Sequence, residues 1–132
     1  MTGLDFLDRL TDGCSAAGAG FYFEEGGCWG MALALHDALA RIGHEPEYLV
    51  CQRNRHAMIE AGGRIYDHTG EASWNGPAVR VSRDELMVRA RLAGHDDDGV
   101  LSDADAASEI IGNARAMWLR DRQIAEPGSA KE

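Results

Sequence analysis

Positive charge is what this sequence has least of. Thirteen Lys and Arg stand against 22 Asp and Glu, a net charge of −9. A surface for nucleic acid or an anionic membrane needs clustered basic side chains, and no basic groove is present. Long apolar runs are also missing, so no segment reaches membrane-spanning length. Asp5 and Asp8 interrupt the apolar pattern of "MTGLDFLDRLTDG", which therefore does not read as a signal peptide. Cysteine is scarce and unpaired in pattern. Cys14, Cys28 and Cys51 cannot all form disulfides, and their spacings of 14 and 23 residues match no disulfide or zinc framework. Free thiols in a reducing, cytoplasmic setting are expected. No nucleotide-binding loop and no internal repeat is visible, and no cofactor and no metal is expected.

What is present is an ordinary globular balance. The chain has 132 residues, 45% of them hydrophobic and 27% charged. That is enough for one hydrophobic core and one domain. The reading is a single domain over 1–125, followed by a polar tail over 126–132 that is expected to be disordered.

Leu4, Phe6, Leu7 and Leu10 give a short amphipathic helix stopped near Gly13. After a small-residue loop and the aromatic run "FYF" comes "EEGGCWGMALALHDAL". Its apolar stripe of Cys28, Met31, Ala32, Leu35, Leu39 and Ile42 has helical spacing, and Gly43 ends it. "EYLV" reads as a strand. "HAMIEAGGRIYDH" reads as two strands around a glycine turn. "TGEASWNGP" reads as loop, and "VRVS" as one more strand. Ser82 with Glu85 forms a capping box for a helix to about Leu92. "GHDDDG" is an acidic turn that lacks the ligand pattern of a calcium loop. A closing helix follows, with Ser102 or Asp103 as its cap. Helices first and then consecutive antiparallel strands make an α+β domain.

Cys28 poses the chemical question. A cysteine on an apolar stripe is commonly a packed core thiol. At a helix N-terminus, however, unpaired N–H groups and the helix dipole stabilise a thiolate, and the same N–H groups can receive an oxyanion. Gly26 and Gly27 permit close approach and unusual φ angles there. The hairpin supplies a base and a group to hold it. If the turn is Ala61–Gly62, His56 stands opposite Asp67, with Cβ atoms ~5 Å apart. If the turn is Gly62–Gly63, Met58 stands opposite Asp67 and His56 is the diagonal neighbour. Either register keeps His56 and Asp67 on one face, expected to be the face that the Cys28 helix covers. Cys28, His56 and Asp67 are thus candidate nucleophile, base and orienting carboxylate.

The run from "GGCWGMALALHDALARIG" to "HAMIEAGGRIYDHTGEA" resembles the core of papain-like and transglutaminase-like cysteine enzymes, over about Tyr22 to Glu71. The resemblance implies a nucleophile opening a helix, and a His and an Asp on successive strands. It implies N-terminal helices packed on an antiparallel sheet of three or more strands, with C-terminal helices. It implies a cysteine peptidase or amidase, of which compact bacterial and phage-associated forms exist. This chain departs from the pattern at two places. Met58 stands where many relatives have an aromatic residue, and no Gln precedes Cys28. Gln52 is then a candidate oxyanion donor beside the backbone of Gly27. Trp29 and Trp74 are candidates for lining the substrate site, or for packing.

Other readings use the same residues. Cys28, Cys51, His56 and His68 are a conceivable metal set, but no paired ligand spacing supports it. Cys51 reads as packing. His68 is an alternative base only if its strand has already ended. His36 lies about 80° around the helix from Cys28. The function expected is thiol-dependent hydrolysis of a peptide or protein substrate. Acyl transfer, a silent binding module on the same fold, and association through the last helix and Trp118 are the alternatives.

Overall fold

The computed structural model describes residues 27–51, 54, 56–67, 70–74 and 76–125. The expected helix near Leu4–Leu10, the "FYF" run, Cys14, Gln52, His68 and the tail after Ala125 lie outside these residues. Three helices and five strands follow one another as α1 (Cys28–Arg41), β1 (Glu47–Cys51), β2 (Ala57–Ala61), β3 (Arg64–Asp67), β4 (Gly70–Ala72), β5 (Ala78–Val81), α2 (Arg83–Leu92) and α3 (Asp97–Ala125). The strands form one antiparallel sheet in the order β4-β3-β2-β1-β5. The class is α+β.

Helix α1 is the centre of the molecule. Every residue from Cys28 to Leu35 is buried. The expected one-sided stripe is therefore too narrow. One side of α1 packs on β1, β2 and β3, and the other packs along α3. A helix covered all round needs apolar residues all round, which "CWGMALAL" provides. Gly30 is where α3 comes closest. A Cβ added there would collide with Cβ of Asp103 and lie 2.6 Å from the Ala104 backbone nitrogen. At the other end Gly43 turns left-handed at φ 94, and the His44 N–H bonds the Leu39 carbonyl at 3.1 Å. This double-bonded stop is the one that a glycine after the cap permits.

The sheet follows from its turns. Gly62 and Gly63 have φ of 61 and 80, so the hairpin closes with both central residues left-handed. That sets the register: Ala61 opposite Arg64, and Ile59 opposite Tyr66. Tyr48, Val50, Ala57, Ile59, Ala61 and Tyr66 enter one core with α1. Leu49 and Met58 are buried outside that core, on the opposite face of their strands.

Two expectations are corrected here. "TGEASWNGP" is not all loop, because Gly70–Ala72 pairs with β3 as a short edge strand. The acidic turn is also a helix start. Asp96 Oδ1 accepts the Gly99 N–H at 2.6 Å, and α3 begins at Asp97, several residues before Ser102 or Asp103. An Asp cap followed by Asp97 and Asp98 against the positive helix end explains this. The capping box is formed as expected, with Ser82 Oγ accepting the Glu85 N–H at 3.2 Å.

Candidate functional site

Cys28 is the first residue of α1 and Gly27 is its N-cap. Gly27 has φ −76 and ψ 0, so the helix start needs no left-handed residue there. The first bond of the helix runs from the Met31 N–H to the Gly27 carbonyl at 3.1 Å. Among the described residues no side chain caps the helix, and no acid stands in its first turn. The donors and the positive dipole end are thus left to whatever lies beside Cys28.

His56 stands just before β2, at the mouth of the β1–β2 connection. Its Nε2 is 3.2 Å from Asp67 Oδ2, and both side chains are largely shielded. Of the two registers, the glycine turn selects the diagonal one. Met58 is opposite Asp67, and His56 leans across to it. Cys28 is the second group that acts on the ring, after Asp67. The hydrogen bond to Asp67 and then the one to Cys28 push the imidazole up to about 10, against the opposing effect of burial. The carboxylate therefore favours the protonated form of the ring.

His56 does not reach Cys28 across the helix-covered face. Ala57, Ile59 and Ala61 hold that face. His56 lies outside the strand, just before its first residue.

Cys51 is buried, as expected for packing, but it also bonds. Its N–H donates to the His56 carbonyl at 3.1 Å, and its Sγ accepts the His56 N–H at 3.2 Å. Its carbonyl accepts the Asn54 N–H at 2.9 Å. Asn54 has φ 53, and its Oδ1 accepts from Arg89 Nη1 at 3.1 Å. No spacing rule pointed to this arrangement. The only signal was an Asn within a polar break, a residue type that tolerates the left-handed region.

The two tryptophans part company. Trp74 is 37% exposed, with its ring centroid 6.4 Å from that of His56 and its indole N–H donating to the Pro77 carbonyl at 3.4 Å. Trp29 is 2% exposed and packs in the core, 6.3 Å from the His95 ring. It offers no surface to a substrate. Cys28 itself is 3% exposed. His36 is occupied elsewhere, stacked on Tyr48 at 4.3 Å.

Among the described residues, no group of three His, Cys, Asp or Glu side chains is placed to hold a metal ion. None of the described helices is long and apolar enough to cross a membrane. No family model, no curated protein and no solved structure gives a significant match to the chain.

Proposed function

We propose that this chain is a thiol-dependent hydrolase of amide or peptide bonds, built on a papain-like or transglutaminase-like core and working in a reducing, cytoplasmic compartment. One observation carries the reading: the His56 imidazole is held by the Asp67 carboxylate at 3.2 Å, and Cys28 is the other group that raises it. In the step proposed, the His56 imidazole takes the Cys28 thiol proton as Sγ attacks the substrate carbonyl carbon. The carbonyl oxygen becomes an oxyanion, which the free N–H groups at the start of α1 receive. The His56 imidazolium gives that proton to the leaving amine as the carbon–nitrogen bond breaks. Asp67 keeps the ring oriented through Nε2. Water, activated by the now neutral imidazole, then cleaves the thioester and restores the thiol. An amine in place of that water turns the same sequence into acyl transfer. Trp74, exposed beside His56, supplies an apolar wall on the leaving-group side.

A second reading is favoured by the burial of Cys28: a binding module that keeps the triad but covers it. Alkylation by iodoacetamide at pH 7, mapped by peptide mass, separates the two. The hydrolase reading expects Cys28 to react faster than Cys51 and Cys14, and His56→Ala to slow it. A Cys28 that reacts only on unfolding establishes the covered module instead.

A further inference from the structure

We propose that Cys51 is a positioning residue for His56, holding the histidine backbone through its own N–H and its thiol sulfur. The proposal rests on the reading of His56 as the base. Opposed residues at this kind of site in an antiparallel pair exchange two N–H to carbonyl bonds. Cys51 and His56 make only one of them, from the Cys51 N–H to the His56 carbonyl at 3.1 Å. The second is diverted. The Cys51 carbonyl is taken by the Asn54 N–H at 2.9 Å, where the chain turns back through a left-handed Asn54. The His56 N–H then needs another acceptor, since a shielded donor left unpaired is costly. Cys51 Sγ provides it at 3.2 Å.

Sulfur is a weak acceptor, but the long Cβ–S bond carries it to where the carbonyl would have been. The loop is pinned from outside as well. Arg89 on α2 bonds Asn54 Oδ1 at 3.1 Å and Glu85 Oε1 at 3.1 Å. The two ends of His56 are therefore fixed separately: Cys51 holds the backbone and Asp67 holds the ring. A packing role alone would tolerate any side chain of similar size. A positioning role requires an acceptor.

Cys51→Val, Cys51→Ala and Cys51→Ser distinguish these. The readout is the rate of Cys28 alkylation at pH 7 by mass mapping, beside wild type and His56→Ala, with folding checked by circular dichroism. Valine and alanine are expected to slow Cys28 about tenfold or more, the order that a small misplacement of a reacting group produces. Serine, which keeps an acceptor, is expected to restore a rate close to wild type. A folded Cys51→Val with the wild-type rate overturns the proposal. If valine and alanine fail to fold, exchange of the His56 amide in the wild-type protein decides. Strong protection supports the N–H to sulfur bond, and exchange at the unprotected rate overturns it. If His56→Ala leaves Cys28 unchanged, the reading of His56 as base fails and takes this proposal with it. If His56→Ala slows Cys28 while Cys51→Val does not, only the positioning role falls.

Discussion

Asp67 bonds His56 although the ladder places a different residue across from it. Met58 is the cross-strand partner of Asp67, and the imidazole reaches the carboxylate diagonally at 3.2 Å. Diagonal neighbours lie farther apart than direct ones, so a long flat ring is needed to close the gap. Release from the strand lets it do so. His56 precedes β2, and its side chain is not bound to the alternation that sends Ala57 and Ile59 towards α1.

Replacing Asp67 by Asn tests how much of the ring's state comes from charge. The bond to Asp67 is the largest cause that raises the imidazole to about 10. An amide oxygen still accepts the Nε2 proton but lacks the negative charge. Asp67→Asn is expected to lower the His56 titration by about one pH unit or more, since a neighbouring opposite charge is worth 1–3 units. NMR titration of the ring measures this. Cys28 alkylation at pH 7 should slow, but less than in His56→Ala. An unmoved His56 titration would mean that Asp67 only fills space.

The hairpin was the most legible part of the site. Two glycines fix a two-residue turn, and a two-residue turn fixes which residues share a face. The pairing of the His56 and Asp67 ends of the hairpin was readable for the same reason, although His56 stands just before its strand. The Cys51 contact was not, because it depends on one carbonyl choosing Asn54 over His56. The route of His56 to Cys28 was misplaced, because a residue just outside a strand escapes the rule applied to it. The burial of Trp29 was undecidable from α1 alone, since α3 is what covers the far side of that helix. The early start of α3 was missed because three consecutive acids look like a solvated turn until one of them caps a helix.

Stability should depend on pH through His56 in a stated direction. Cys28 also acts on the ring, so the wild type mixes two contributions to its state. Cys28→Ala removes that mixing and keeps the Asp67 bond. The comparison is Cys28→Ala with and without His56→Gln, by urea denaturation. A raised native pKa means that the folded protein holds a proton the unfolded chain has released. The contribution is complete below the unfolded value of about 6.5 and fades as pH rises through the folded value. The stability difference between the two proteins is expected to be largest near pH 6 and to shrink towards pH 10. A difference that grows with pH would mean the native imidazole is neutral.

Glycine-to-alanine changes should have opposite signs at two helical positions. Inside a helix, alanine is ordinarily better than glycine by up to about 1 kcal/mol. Gly112 on α3 is exposed, and a Cβ there meets nothing within 4 Å. Gly112→Ala should gain a few tenths to about 1 kcal/mol in chemical denaturation. Gly30 lies under α3, where a Cβ would meet backbone atoms of Asp103 and Ala104, at 2.7 and 2.6 Å. Backbone cannot swing aside as a side chain can. Gly30→Ala should therefore cost about 1–3 kcal/mol despite the helix propensity gained. It also sits two residues from Cys28 in the first turn of α1, so slower alkylation should accompany the loss. A stabilised Gly30→Ala would mean that α1 and α3 are not in close contact.

Removing most of α3 decides whether that helix serves the core or a partner. Its exposed side carries Leu101 and Leu119, which favours a docking face. Its inner side carries Ala107, Ile110, Ile111 and Ala114, buried together with Met31, Leu35 and the rest of α1, and Trp118 packs against the same cluster. Fully burying one large aliphatic side chain contributes about 1.5–3 kcal/mol. Two isoleucines, the alanines on either side of them and the newly exposed side of α1 together exceed what a marginal domain can lose, given a total stability of about 5–15 kcal/mol. Deletion of residues 103–132 is therefore expected to abolish the cooperative thermal transition and to expose Cys28, Cys51 and Cys14 to alkylation at equal rates. A truncated protein that still unfolds cooperatively, and still alkylates Cys28 first, would move α3 from the core to an interface. Cys28, His56 and Asp67 would then stand on α1 and the sheet alone.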